Sequence, residues 1–432
     1  MADNVITFSV LNNDAPNVAI AMRTYQLAER QLVLGQYAAK YTLEQRMGTT
    51  LRVIRHKRIG LPIAPLSEGV TPDSRNITLE KVDVTPEQWG LVVTMTDISQ
   101  ITLKHPILAK AVELGGMALS ETIEREIAEV LMGGTGVIYV GGGTRTSLGT
   151  GDILASGSIF SALSSLRTLG AMPVRGSLYG GVIPPQMEMD MMADDTFKTA
   201  TTRQNIEALE YGRIGFWAGV EWMRGNFLPT FRGVAASTTA AANATKAQHT
   251  DQATGGTFSA NEVVKLVVVA RDALTDYERK ISQTASVTMG AGTNVRSLDV
   301  KTPTSTNYVY DIYASKADGG DPFLWLSRVA NSTTKTLTEF SDVTGTASPP
   351  EAPADTIETF VAWIFGKDAF MRVELNGMSM QSFRTPDGAS DSDPLNQRKK
   401  VGWKVMFKCG ILDDNYMRRI EAISTYGAEL PA

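Results

Sequence analysis

A glycine-rich run at residues 133–143, GGTGVIYVGGG, is the strongest candidate for cofactor chemistry in this chain. A dinucleotide loop needs G-x-G-x-x-G between a strand and a helix, and a phosphate-binding loop needs Gly-Lys-Ser or Gly-Lys-Thr. Here Tyr139 stands where the last glycine is required, the run follows a predicted helix, and no Gly-Lys-Ser or Gly-Lys-Thr follows it. We therefore interpret the glycines as turn residues, and we predict no nucleotide or other cofactor.

Catalytic and metal-binding patterns are weak elsewhere. The three histidines, at positions 56, 105 and 249, show no H-x-x-x-H or H-x-E spacing, which metal and acid–base sites use. The DGASDSD loop at 387–393 offers oxygen donors but does not match a calcium loop. The methionines of MEMDMM at 187–192 are interpreted as flexible core residues rather than thioether ligands. The sequence predicts no metal site and no enzymatic activity.

A basic cluster, formed by Arg52, Arg55, Lys57 and Arg58, places four positive charges within seven residues. Such a cluster contacts phosphates, docks onto an acidic surface of a neighbouring copy, or is simply a solvated strand face. Because the cluster lies on one limb of a predicted projecting hairpin, intersubunit docking is the stronger of the two functional interpretations.

Composition and charge exclude several classes of protein. The chain has 432 residues, 43% hydrophobic and 20% charged, with a net charge of −5. These values are typical of a globular protein with two or three domains and not of a generic nucleic-acid binder. The single cysteine, Cys409, excludes a disulfide framework. The N-terminal MADNVITFSV has no secretion-signal pattern, and no apolar run approaches the roughly 20 residues of a membrane span, so a soluble protein is expected.

The first part of the chain predicts an arm, a hairpin and one long helix. Residues 17–46 have mixed helical periodicity, and two extended limbs, 51–58 and 77–84, flank a Pro/Gly-rich tip at 60–73. A turn at 85–90 then precedes a buried strand at 91–97. Pro106 begins a helix that ends at Gly133, with an apolar stripe that includes Leu119, Ile123 and Ile127, and with Glu121 and Glu124 on the opposite face.

The second part changes composition twice. Residues 234–257, rich in Ala, Thr, Asn, Gln and Gly, are interpreted as a linker. Short strands at sandwich-like spacing follow up to about residue 340, and the first fold resumes at 356 with a buried strand at 360–369. Deletion of 235–354 is then expected to leave the remainder intact. Near the end, residues 402–407 are expected to complete a sheet beside the long helix.

Four patterns, in order, resemble the phage N4-type major capsid proteins. They are VTPEQWG at 84–90, GRIGF at 212–216, FGKDA at 365–369, and DPLNQ followed by GWK within 393–404. This resemblance implies an α+β, Hong Kong 97-type phage capsid fold. The strands between 262 and 340 resemble an immunoglobulin-like or fibronectin type III module, which implies an inserted all-β sandwich.

The resemblance implies the following division of the chain. Residues 1–48 are the N-terminal arm, 49–90 the extended hairpin loop, and 91–149 the peripheral domain with its spine helix at 105–132. Residues 150–232 form the axial domain, 233–355 the linker and sandwich insertion, and 356–432 the C-terminal strands of the axial and peripheral domains.

The implied function is that of a major capsid protein, assembled in the host cytoplasm into pentamers and hexamers of a virion shell around double-stranded DNA. Scaffolding, portal and decoration proteins are the implied partners besides further copies, with no membrane involved and no sequence-specific DNA contact. Two alternatives stay open: a bacterial encapsulin-type nanocompartment shell, and a β-sandwich surface adhesin.

Overall fold

The computed structural model describes most of the chain. It covers residues 5–6, 33–46, 48–56, 59, 76–96, 107–198, 215–226, 228–292, 295–376, 381–384 and 397–427. The predictions for residues 17–32, for the hairpin tip at 60–73 and for the acidic loop at 387–393 lie outside these residues.

Strands dominate the secondary structure. The first twelve are β1 (Val5–Ile6), β2 (Ala39–Leu43), β3 (Leu51–His56), β4 (Leu79–Val84), β5 (Glu87–Thr96), β6 (Val137–Tyr139), β7 (Tyr179–Ile183), β8 (Phe216–Trp217), β9 (Val220–Arg224), β10 (Thr230–Val234), β11 (Gln248–Gln252) and β12 (Val263–Asp272). The others are β13 (Glu278–Ser282), β14 (Ala285–Thr288), β15 (Ser297–Lys301), β16 (Tyr308–Ser315), β17 (Phe323–Val329), β18 (Thr334–Leu337), β19 (Glu358–Phe365), β20 (Phe370–Leu375), β21 (Gln381–Arg384), β22 (Arg398–Ile411) and β23 (Met417–Ala422). The α-helices are α1 (Ile107–Met132), α2 (Ser156–Thr168) and α3 (Pro185–Ala193).

The chain divides into two units, each built from separate stretches of sequence. Unit 1 comprises residues 1–134 and 368–414, and unit 2 comprises residues 135–367 and 415–432. In unit 1 the strand order of the main sheet is β1-β5-β22-β20-β2, with β21 also paired to β22, while β3 and β4 form a separate hairpin. The expected long hairpin and long helix are therefore both confirmed over the residues that are described.

Helix α1 packs against the sheet of unit 1 through β22, as the sequence predicts. Alternate residues of β22 are buried, and Trp403 is among them with 3% of its surface exposed. A Cβ atom placed on Gly115 of α1 would lie 2.5 Å from the Trp403 ring. Gly115 is therefore the point at which the helix backbone and the indole come into direct contact.

We expect Gly115→Ala to lower the free energy of unfolding by about 1–3 kcal/mol, because the added methyl group overlaps the buried indole of Trp403. The adjacent Gly116 is the matched control, since a Cβ there meets nothing within 4 Å. Gly116→Ala should be neutral or stabilising by up to about 1 kcal/mol, from helix propensity. Urea unfolding of both variants checks this; equal effects would contradict the packing account.

Three sequence predictions about the strands of unit 1 are wrong. Residues 39–43, predicted as helical, form strand β2, which pairs in parallel with β20 over five residues. The predicted turn at 85–90 is largely strand, because Glu87 begins β5 and β5 pairs with β22 over ten residues. That strand is also less buried than expected, with Leu91 and Val92 exposed. For β2 and the start of β5, long-range pairing overrides the local pattern.

Unit 2 contains a twelve-stranded sheet and a three-stranded sheet. The order of the larger is β17-β16-β12-β13-β10-β19-β7-β9-β8, with β14 paired to β12, and β23 paired to both β19 and β6. The smaller sheet has the order β11-β15-β18. Helices α2 and α3 bury Ile159, Leu166, Met187 and Met191 in a core shared with the strands around β19.

The region expected to be an inserted sandwich has two sheets around one core. Phe258, Leu298, Val300, Ile312 and Leu337 are all buried in that core. Strands β12 and β14–β18 lie close to the predicted positions. The sequence therefore predicts most of these strands and the apolar core between them.

The interpretation of residues 234–257 as a linker is corrected by the structure. Strand β11 lies within this stretch and pairs with β15 over five residues, and Ala247 is 4% exposed. A polar strand such as β11 shows no apolar periodicity, so its composition resembles that of a linker. A second unexpected strand, β13, pairs in parallel with β10 and antiparallel with β12, and so joins β12 and β10 in one sheet.

Candidate functional site

The β3–β4 hairpin carries the basic cluster identified in the sequence. The two strands are antiparallel, with Arg52 opposite Asp83 and Arg55 opposite Glu80. Arg52 donates to both oxygens of Asp83 at 2.6 and 2.7 Å. Arg55 donates to Oε2 of Glu80 at 2.5 and 3.0 Å. Two cross-strand ion pairs therefore link β3 and β4.

One face of the hairpin is packed. Leu51, Val53 and Val82 lie against a small core of unit 1 that contains Val84 and Met371. These residues alternate along β3 and β4, as expected where only one face of a strand pair is buried. The base of the hairpin is thus attached to the unit 1 sheet by apolar contacts.

The opposite face is uncovered and partly apolar. Ile54 is 51% exposed and Leu79 is 45% exposed, and Ile77, just before β4, is 63% exposed. We call Ile54, Leu79 and Ile77 the outer apolar face of the hairpin. Clustered exposed aliphatic side chains on a strand pair are typical of a protein-interaction surface. The prediction from sequence rested on the charges of this segment and did not include these apolar residues, although they alternate with charged residues along the strands.

The structure gives two of the four predicted docking residues partners within the chain. Arg52 pairs with Asp83, and Arg55 pairs with Glu80 and with Asp413. The hydrogen bond from Arg52 holds the pKa of Asp83 below its ordinary value, so this pair stays charged at neutral pH. Lys57 and Arg58 lie outside the described residues. Docking of the cluster onto another copy remains a prediction.

The weaker sequence candidates have structural roles. The glycines at 141–143 all have positive φ, and a Cβ on Gly141 would overlap the carboxylate of Asp152, so this run makes a tight turn.

Among the described residues, no group of three or more His, Cys, Asp or Glu side chains is placed to hold a metal ion. Burial raises the pKa of the Cys409 thiol to about 12, so the thiol is protonated at neutral pH.

Glu124 was predicted on the polar face of α1 but is buried, with 4% of its surface exposed. Its carboxylate accepts hydrogen bonds from the backbone N–H groups of Val33, Leu34 and Gly35, at 2.6, 2.5 and 3.2 Å. Burial raises the pKa of Glu124, while the three backbone donors act in the opposite direction. Glu124 therefore anchors the segment that precedes β2, and no local signal in the sequence predicts this contact.

A second buried charge cluster lies in unit 2. Arg145 donates to the two oxygens of Glu421 at 2.6 and 2.7 Å, and Arg419 forms an ion pair with Glu421 at 2.8 Å. Glu421 is 0% exposed and Arg145 is 4% exposed. The Arg145 guanidinium also lies 3.9 Å from the ring centroid of Phe231. This cluster connects β23, β10 and the turn after β6.

The helices within the described residues include none that is both long enough and apolar enough to cross a membrane.

Comparison with known proteins identifies the fold. No protein-family model matches the chain, and no curated protein matches it. Solved structures of phage capsid proteins have the same fold as this chain.

Three of these structures match over nearly the whole chain. The match to the capsid of Ralstonia phage GP4 covers 100% of this chain and 100% of that chain, with a TM-score of 0.52 and 10% sequence identity. The capsid asymmetric unit of cyanophage Pam1 has a TM-score of 0.53 and 9% identity, with 98% of this chain and 100% of that chain covered. The capsid of cyanophage P-SCSP1u has a TM-score of 0.52 and 12% identity, with 94% and 93% covered.

Proposed function

We propose that this chain is the major capsid protein of a tailed phage, with a Hong Kong 97-type fold and a structural role rather than an enzymatic one. The observation that carries the proposal is the likeness to phage capsids along the full chain, in the Ralstonia phage GP4 case over 100% of both chains. The structures named above are phage capsids, which favours this hypothesis over a nanocompartment shell or a surface adhesin.

In this proposal the two units correspond to the peripheral and axial domains. Helix α1 is the spine of the peripheral domain, the β3–β4 hairpin is the extended loop, and residues 1–48 are the N-terminal arm. The subunits assemble into pentamers and hexamers through heterologous contacts that close into rings. The virion shell so formed encloses double-stranded DNA, and scaffolding, portal and decoration proteins act beside it.

The inserted strands, in the same proposal, form an immunoglobulin-like sandwich that faces outward and contacts a decoration protein or a host surface. Its two sheets and shared core support the sandwich assignment. Thr250, Asp299 and Thr336 lie side by side on the three-stranded sheet and are half-buried or exposed, which fits a solvent-facing surface.

Electron microscopy of the expressed full-length protein tests the proposed function. Negative stain should show closed shells, rings or tubes built of capsomers, because such a subunit assembles by repetition of its own contacts. A monodisperse monomer at high protein concentration would overturn the proposal.

The outer apolar face of the hairpin is the surface that we assign to the contact with another copy, together with Lys57 and Arg58. We expect the double variant Ile54→Ser/Leu79→Ser to reduce the yield of shells by about tenfold or more, because apolar contacts between subunits are lost. The fold should survive, since both side chains are already exposed.

The control for this variant is Leu274→Ser. Leu274 is 91% exposed at the turn between β12 and β13, so its replacement removes a comparable apolar side chain elsewhere. Shell yield is measured by sedimentation and subunit folding by circular dichroism. Equal yields for the double variant and the control would remove the assignment of the contact to this face.

A further inference from the structure

The two arginines of β3, Arg52 and Arg55, differ in the part of unit 1 that their partners belong to. Arg52 pairs with Asp83, directly across the hairpin, so both charges belong to the hairpin itself. Arg55 pairs with Glu80 across the hairpin and also donates through Nη1 to the carboxylate of Asp413, which lies beyond the end of β22. Arg55 therefore connects the hairpin to the rest of unit 1.

Asp413 is a fixed partner. Its side chain is 8% exposed, and the backbone N–H groups of Leu412 and Asp413 both donate to the carbonyl oxygen of Ala369, at 2.9 and 3.1 Å. The loop after β22 is thus tied to the chain just before β20. A carboxylate that is held in place and nearly buried favours a fixed position for the guanidinium that binds it.

Arg55 lies farther from the base of the hairpin than the apolar residues that attach it to unit 1. The apolar attachment involves Leu51 and Val53, which lie nearer the base of the hairpin. Arg55 lies four residues beyond Leu51, which corresponds to roughly 13 Å along an extended strand. A contact at that distance restricts the angle of the hairpin more strongly than a contact at its base.

We propose that the Arg55–Asp413 pair sets the direction in which the hairpin leaves the unit 1 sheet. The planar guanidinium bridges two carboxylates at once, using Nε and Nη2 for Glu80 and Nη1 for Asp413. The ammonium group of a lysine lacks this planar, forked arrangement of N–H donors. Arg55 is then a positioning residue within one subunit. Its consequence for shell assembly rests on the proposed function, since the pair would fix where the outer apolar face meets the next copy.

Hydrogen exchange on the full-length chain, below the concentration at which it assembles, tests the pair directly. We expect Arg55→Gln and Asp413→Asn each to accelerate exchange of residues 51–56 and 79–84 by about three- to tenfold. The double variant should exchange no faster than Arg55→Gln, because that substitution already removes the pair with Asp413 as well as the pair with Glu80. Additive effects, or no acceleration in Asp413→Asn, would overturn the proposal.

Arg52→Gln is the matched control. It removes an arginine from the same strand and an ion pair of the same cross-strand kind, so exchange should change by less than about twofold. A change as large as that of Arg55→Gln would show that the pair merely stabilises the hairpin. Thermal melting of each variant, followed by circular dichroism, should match that of the unmodified protein; global unfolding of Asp413→Asn would instead assign Asp413 to the core of unit 1 and count against the proposal.

Shell formation is scored separately, so that the two proposals can fail independently. If the unmodified protein forms shells, Asp413→Asn should give fewer or irregular ones while its subunit keeps the native melting curve. If the unmodified protein forms none, the proposed function fails, and the exchange measurements still decide whether Arg55 and Asp413 orient the hairpin. Normal shells from Asp413→Asn, despite faster exchange, would overturn the link to assembly.

Discussion

Deletion of residues 235–354, with the flanking ends joined, is expected to give insoluble protein rather than a trimmed, assembly-competent subunit. The structure reverses the expectation from sequence, because β13 pairs with β10 over the five residues 230–234. The deletion removes β13 and leaves β10 as an open edge next to β19. An uncovered strand edge is a template for aggregation.

The ends of the deletion do lie close together, since the N–H of Thr356 donates to the carbonyl oxygen of Gly233 at 3.1 Å. Joining the ends should therefore not prevent the shortened chain from folding, whereas the loss of β13 should. An insertion of about ten Gly and Ser residues at Leu274, the exposed turn of the same module, is the control, because exposed loops tolerate insertion. The fraction of soluble protein is measured for both. A soluble deletion variant with a cooperative melt would show that the module is separable.

Replacement of Glu421 by Gln is expected to destabilise unit 2 by about 3–5 kcal/mol, because it leaves Arg145 and Arg419 buried without their anion. Both arginines are less than a tenth exposed, and Glu421 is fully buried. The loss should not depend strongly on salt, since buried charges are screened less than exposed ones. Chemical denaturation of the full-length subunit at low and high salt measures it.

The pair of Arg175 and Glu221 provides the comparison. It joins the same types of side chain at 3.0 Å, but Arg175 is 62% exposed, so Arg175→Gln should cost no more than about 1 kcal/mol. If Glu421→Gln cost no more than Arg175→Gln, the buried cluster would not be a major source of stability.

The sequence predicts those parts of the fold that depend on local pattern. Helix α1 follows from Pro106, the apolar stripe and the terminal glycines, and the structure places it at Ile107–Met132. The hairpin limbs and most of the later strands follow from alternation and turn residues. The strand character of β22 also follows from the residue pattern around Trp403, whereas its position beside α1 was expected from the resemblance to phage capsid proteins.

The features missed from sequence all involve partners far apart in the chain. Strand β2 takes its structure from β20, more than 300 residues later, rather than from its own helical periodicity. Glu124 was placed on the polar face because a carboxylate is normally solvated, but three backbone N–H groups about 90 residues away satisfy it. The contact of Arg55 with Asp413 likewise joins residues far apart in the chain, and so does the pairing of β13 with β10.

By itself, the sequence determined the class of the protein: an α+β chain with a long helix, a projecting hairpin and a second region of short strands, in which catalytic patterns are weak. Only the tertiary structure decided which side chains are available for contact. Arg52 and Arg55 are paired inside the chain, while Ile54 and Leu79 are exposed. The physical reason is that secondary structure follows from neighbours along the chain, whereas burial and ion pairing depend on residues brought together by folding.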